Sequence, residues 1–167
     1  MTISADLVAR PSARWMLSHP AHLIAFGFGV GMMPFAPGTF GTLLAVPMHG
    51  WLLASLGAHA YLALLPVLFV VGVWACQVTG KSLGVHDHGG MVWDETVAFL
   101  IVLYFTPASP LWQAFAFLLF RLFDILKPMP IRHFDRGLRN GLGVMFDDLL
   151  AAFFTLLCLA GWKFLFG

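Results

Sequence analysis

Asp94 and Glu95 are adjacent, Asp147 and Asp148 are adjacent, and Asp124 stands three residues after Arg121. Each of these five carboxylates borders a long apolar run, where a charge is expensive unless paired, so each is a functional candidate. Helix capping is the competing account, because Asp and Glu are stabilised by the dipole at a helix N-terminus. It covers one residue of each pair, but not Asp124, which is expected at a C-terminal end where the dipole disfavours it. Carboxylate oxygens suit hard cations, and Mg²⁺ typically takes one or two of them together with water and phosphate oxygens. Arg121, Lys127, Arg132 and Arg136 are nearby and could hold phosphate charge, Arg by paired hydrogen bonds and Lys as a point charge, although any one of them alone reads as an ordinary interfacial anchor. Acid, hard cation and base together describe phosphoryl chemistry on a lipid headgroup.

Three smaller motifs carry weaker signals. His86-Asp87-His88 has two histidines two apart, but no second ligand pair accompanies them, so a polar loop supporting the site fits better than a zinc centre. Gly27-Phe28-Gly29-Val30-Gly31 follows no strand and builds no dinucleotide site. Pro37-Gly38-Thr39-Phe40-Gly41-Thr42 opens a helix with free N–H groups and the hydroxyls of Thr39 and Thr42. That is an anion site or an ordinary threonine-capped helix start, and spacing alone favours neither.

The elements that must position these groups are membrane helices. Of 167 residues, 60% are hydrophobic and 10% charged, against about 25% charged in an ordinary soluble domain. Seventeen charged side chains cannot cover a soluble surface, and a net charge of +1 gives no reason to expect nucleic acid. No aspartate, glutamate, lysine or arginine falls between Arg14 and Lys81, a stretch long enough for two crossings of about 20 residues each. Thr42 to Leu56 and Tyr61 to Val78 are the expected spans, turning at Gly57-Ala58-His59. Leu23 to Phe40 is too broken by glycine and proline for a lipid-facing helix and is expected at the interface or folded back into the protein. Thr96 to Phe120 is interrupted at Pro107-Ala-Ser-Pro110 and is read as a short helical hairpin rather than one kinked crossing. Leu149 to Phe166 is the last span, with Trp162 and Lys163 as interface anchors.

The sequence therefore predicts an all-α, polytopic membrane bundle with about five passes, in one domain over 1–167 whose residues 1–22 form a polar, interfacial start. With the hairpin, eight of nine lysines and arginines lie on the N-terminal side and only Lys163 on the other, which makes that side cytoplasmic. All five carboxylates fall on the same side. A small transporter with a carboxylate-lined ion path is the alternative, and it would spread its charges toward the bilayer midplane. Cys76 and Cys158 sit in apolar runs and read as small buried hydrophobes.

Four segments resemble the phosphatidylglycerophosphatase A family of lipid phosphatases. They are Pro34-Phe-Ala-Pro-Gly-Thr-Phe-Gly-Thr42; Gly84-Val-His-Asp-His-Gly89 with Val92-Trp-Asp-Glu95; Phe120-Arg-Leu-Phe-Asp-Ile-Leu-Lys-Pro-Met-Pro-Ile131 with Phe134-Asp-Arg136; and Gly141-Leu-Gly-Val-Met-Phe-Asp-Asp148. The resemblance covers roughly Leu23 to Ala152, in order. It implies a Mg²⁺-dependent enzyme of the bacterial inner membrane that hydrolyses phosphatidylglycerophosphate to phosphatidylglycerol and phosphate at the cytoplasmic face. It also implies that Asp94, Glu95, Asp124, Asp147 and Asp148 form the acidic, metal-binding site, and that Thr39, Thr42, Arg121, Lys127 and Arg136 contact the headgroup. His86, Asp87 and His88 would support that site. Either a water activated by a carboxylate or an aspartate itself would attack phosphorus. Ala98 and Ala152 stand where the family often has glycine, each just after an acidic pair. The Asp-Gly-x-x-Ala-Arg pattern of phosphatidyl transferases and the Ser-Gly-His segment of histidine-based lipid phosphatases are absent.

Overall fold

The computed structural model describes residues 11–127 and 140–166, and its regular elements are all helical. They are α1 (Ala13–Met16), α2 (Pro20–Ala25), a 3₁₀ segment (Gly27–Met32), α3 (Pro37–Leu83), α4 (Trp93–Phe105), α5 (Pro110–Leu126) and α6 (Gly141–Phe166).

Helix α3 is a hairpin. His49 Nδ1 and Tyr61 Oη lie 3.1 Å apart, whereas twelve residues of straight helix would separate them by about 18 Å. The reversal comes at Gly57, with φ 73° and ψ 168°, a conformation essentially confined to glycine. A Cβ at Gly57 meets no atom within 4 Å, so only backbone strain opposes a side chain there. Gly57→Ala is expected to cost about 1–3 kcal/mol, read as lower resistance to denaturant-induced unfolding in detergent, with the same fold retained.

The second hairpin forms where Pro107–Pro110 interrupts the apolar run. Helix α4 ends at Phe105 and α5 opens with Pro110 at its first turn, where a missing N–H costs nothing. Antiparallel pairing follows from the contacts: Phe99 packs on Phe117 and Phe120, and one turn earlier Glu95 meets Arg121. This returns the end of α5 to the start of α4, as the charge pattern required.

Helices α3 and α6 are long and apolar enough to cross a membrane. The 13 residues of α4 rise only about 20 Å, so the short arms expected of the second hairpin are present. Both long helices begin earlier than the spans expected at Thr42 and Leu149. Pro37 starts α3, and Asn140 Oδ1 accepts a hydrogen bond from Gly143 N at 2.9 Å, capping α6 well before the apolar run.

One apolar core joins Leu52, Tyr61, Phe99, Leu103 and Phe120, with Ala98 and Ala152 buried in it. Tyr61 Oη also donates to Leu100 O at 3.2 Å, giving the buried hydroxyl two partners. Cys158, expected inside, is exposed on α6, whereas Cys76 is buried.

The described residues before α3 fold back onto the protein. Val92 N donates to Ala25 O at 2.8 Å. His22 stacks on Trp15 with ring centroids 4.1 Å apart and bonds Thr79 Oγ1 through Nδ1 at 3.0 Å. Burial first, and the neighbouring His19 second, lower the pKa of His22, favouring the neutral ring in that contact. The start of the chain is thus partly a packed element from α1 onward, not only a polar interfacial one.

Candidate active site

The second hairpin and α6 bring their acidic residues to one end of the bundle. Asp94 and Glu95 lie in the first turn of α4, where the helix dipole favours negative charge. Asp124 is in the last turn of α5. Asp147 and Asp148 sit six and seven residues inside α6, which has no acidic residue in its first turn. Capping therefore explains neither of the last pair, because their place on α6 is a helix interior.

Asp94, Glu95 and Asp148 each present a carboxylate oxygen within 4.8 Å of the others. Asp94 is 7% exposed and Asp148 3%, so their charges face each other away from water. Arg121 bridges the cluster. Its Nη1 pairs with Asp124 Oδ2, lies 3.8 Å from Glu95 Oε1, and donates to Thr42 Oγ1 at 3.4 Å. Lys127 ends α5 in the left-handed conformation, costly for a residue with a Cβ, and its Nζ reaches Asp147 Oδ2 at 3.2 Å. All five acidic residues singled out from the sequence thus converge on Arg121, Lys127 or one another.

The polar atoms of this cluster are incompletely satisfied. Asp94 Oδ1, Glu95 Oε2, Asp148 Oδ2 and Arg121 Nε are buried without a hydrogen-bond partner among the described residues. Such groups cost several kcal/mol unless something compensates them. Three orphaned carboxylate oxygens fit a cation, and an orphaned guanidinium N–H beside them fits an anion.

The start of α3 closes the remaining side. A Cβ on Gly38 would strike Glu95 Oε1 and crowd Arg121 Nη1, so any larger residue there forces these site side chains to shift. Thr42 Oγ1 donates back to Gly38 O at 2.9 Å while accepting from Arg121. Thr39 is half-buried one residue beyond Gly38. Gly38 is the site residue that residue-by-residue reading missed. Its signal was the Pro-Gly-Thr start, read only for its N–H groups and hydroxyls.

The remaining candidates divide. His86 and Asp87 are exposed. His88 Nδ1 accepts from Gly90 N at 3.0 Å and its ring packs on Phe26, so it shapes the loop before α4. None of the three belongs to the carboxylate triad. Arg136 and Arg132 lie outside the described residues.

The profile of a family described as Phosphatidylglycerophosphatase A matches residues 23–163. A Phosphatidylglycerophosphatase A of Haemophilus influenzae is 47% identical over 148 residues, covering 88% of this chain and 91% of the relative. One from Escherichia coli is 42% identical over 140 residues, covering 83% and 81%. A Bacteroides thetaiotaomicron relative, provisionally named a phosphatidylinositol-3-phosphatase, is 39% identical over 152 residues, covering 87% and 94%. No solved structure matches the chain. A profile spanning most of the chain and relatives of this identity, together with the converged carboxylates, lead to one conclusion: the chain belongs to the phosphatidylglycerophosphatase A family.

Proposed function

We propose that this lipid phosphatase hydrolyses the terminal phosphomonoester of phosphatidylglycerophosphate, giving phosphatidylglycerol and phosphate, with Mg²⁺ held by Asp94, Glu95 and Asp148. The observation that carries the reading is the buried triad with an orphaned oxygen on each carboxylate. Oxygen-only donors suit Mg²⁺ better than zinc, and Asp124 and Asp147 hold the neighbouring Arg121 and Lys127. A bound divalent cation supplies charge neutralisation and polarisation of the phosphoryl oxygens.

The chain's own residues do the rest. Arg121 spans from Asp124 to Thr42 and is positioned to orient a phosphoryl group beside the triad, its Nε free to donate. Lys127, held by Asp147, adds positive charge from the other side, and the Gly38–Thr39 helix start brings N–H groups toward the same space. Arg136 is proposed as a further headgroup contact. Burial excludes bulk water, which strengthens each of these electrostatic contacts. The carboxylates' gathering at one end also disfavours a transporter, whose path needs them along the bundle.

The substrate is tested by phosphate release from purified protein in mixed micelles. We expect phosphatidylglycerophosphate to be cleaved at least about tenfold faster than phosphatidylinositol 3-phosphate or phosphatidic acid. Faster release from either of the other lipids would overturn the substrate assignment.

In the proposed topology five helical arms cross the inner membrane, counting two each from α3 and the α4–α5 hairpin, with the active site cytoplasmic. The exposed Cys158 requires a Cys158→Ser background for labelling. There, His59→Cys should react with an impermeant maleimide in intact spheroplasts, and Ser82→Cys only after permeabilisation. Labelling of Ser82→Cys from outside would invert the orientation.

A further inference from the structure

A cavity of about 450 Å³ opens beside the carboxylate site, between the 3₁₀ segment with the stretch that follows it and the loop before α4. Its volume lies in the range of small-molecule sites. Phe26, Met32, Met33, Pro37, His88 and Gly89 are among its lining residues. Pro37 is joined directly to Gly38, which abuts Glu95 and Arg121, so one wall of the cavity continues into the site.

The character of the lining separates it from the site next door. Among the described residues, no lysine, arginine, aspartate or glutamate contributes to it, and His88 commits Nδ1 to Gly90 N. A phosphate or phosphodiester would find no opposite charge among those residues. Methionine, phenylalanine and proline instead match hydrocarbon, and adjacent methionines adapt to flexible chains. The apolar surface also continues outside the cavity: Phe28 is 58% and Phe35 65% exposed on the same broken segment. Exposed aromatics beside an apolar cleft are the kind of surface that meets a membrane or a ligand.

We infer that this cavity takes the acyl-glyceride portion of the lipid substrate, holding the start of its acyl chains while the phosphomonoester lies among Asp94, Glu95, Asp148 and Arg121. The inference rests on the lipid phosphatase reading above. It assigns the Gly27–Pro37 region the role of selecting substrates that carry a hydrocarbon tail.

Gly89 provides the test. It lines the cavity, has no positive φ, and a Cβ built on it meets no atom within 4 Å. A side chain at Gly89 therefore starts in open space, and Gly89→Leu adds bulk at the cavity's edge. Initial rates are measured on dioleoyl and dihexanoyl phosphatidylglycerophosphate, which share a headgroup, and on glycerol 3-phosphate, which has no tail. For Gly89→Leu we expect kcat/KM on the dioleoyl lipid to fall at least tenfold more than on glycerol 3-phosphate, mainly through KM, with the dihexanoyl lipid between. Because each ratio comes from one protein sample, lost folding cancels. Equal falls on all three substrates, or no fall on the dioleoyl lipid, overturn the inference and leave the phosphatase reading intact. Failure of the unsubstituted protein to release phosphate from any of the three overturns the phosphatase reading itself.

Discussion

Asp94→Asn and Asp148→Asn are each expected to lower turnover at least about a hundredfold, comparable to removing a charged transition-state contact. Asparagine keeps the size of aspartate and removes one charge. A residue present only for packing or capping would tolerate that exchange at a cost of about 1 kcal/mol. These two aspartates are buried in a group of three carboxylates within 4.8 Å, and in the proposed metal site the charge itself is what each contributes. Expression and membrane insertion should stay near normal, since removing one of several buried like charges relieves repulsion when no cation is bound. Asp124→Asn should act similarly by releasing Arg121, which pairs with it. The exposed Asp87 is the comparison, and Asp87→Asn should have a partial effect at most. Turnover per mole of purified protein decides the matter: near-normal rates in the buried variants would remove these residues from the chemistry.

A single methyl group on the opposite wall should be nearly as damaging. Gly38→Ala puts a Cβ against Glu95 Oε1 and close to Arg121 Nη1. The helix start, the carboxylate or the guanidinium must then give way. Misplacing catalytic groups by about 1 Å costs on the order of a hundredfold in rate, so kcat should fall at least about thirtyfold. Gly50→Ala in the same arm meets nothing within 4 Å and should leave the rate unchanged. Thermal unfolding of the two variants should differ far less than their rates. Equal activity of Gly38→Ala and Gly50→Ala would mean that the α3 start does not close the site.

The parts of this molecule most legible in the sequence are those fixed by charge and hydrophobicity. Fifteen per cent aromatic and 60% hydrophobic content left little besides a helical membrane bundle. The one-sided lysines and arginines demanded that the chain reverse at Pro107–Pro110, and the pairing of Glu95 with Arg121 bears that reversal out. The five acidic residues could be gathered on paper because the hairpin brought their helices to one end. Less legible was whatever depends on contacts distant in sequence. Asp147 and Asp148 looked like the start of a span, but the helix carrying them starts at Gly141, because polar capping at Asn140 rather than hydropathy sets its first turn. Gly38 was legible only as part of a helix start, and the crowding a side chain would meet there appears only when α4 and α5 are packed against it. The folded-back segment before α3 could not be placed, since glycine and proline say where regular helix stops and not what the chain then rests on.

The central claim is that the buried triad is a Mg²⁺ site driving lipid dephosphorylation. Its most direct test is a Mg²⁺ titration of phosphate release from phosphatidylglycerophosphate, using chelator-stripped protein, unsubstituted and carrying Asp148→Asn. The stripped protein should be inactive, and Mg²⁺ should restore it saturably where zinc does not. Asp148→Asn should need a much higher Mg²⁺ concentration and reach a lower plateau. Full activity of the unsubstituted protein in excess chelator, or the same Mg²⁺ dependence in both proteins, would contradict the account.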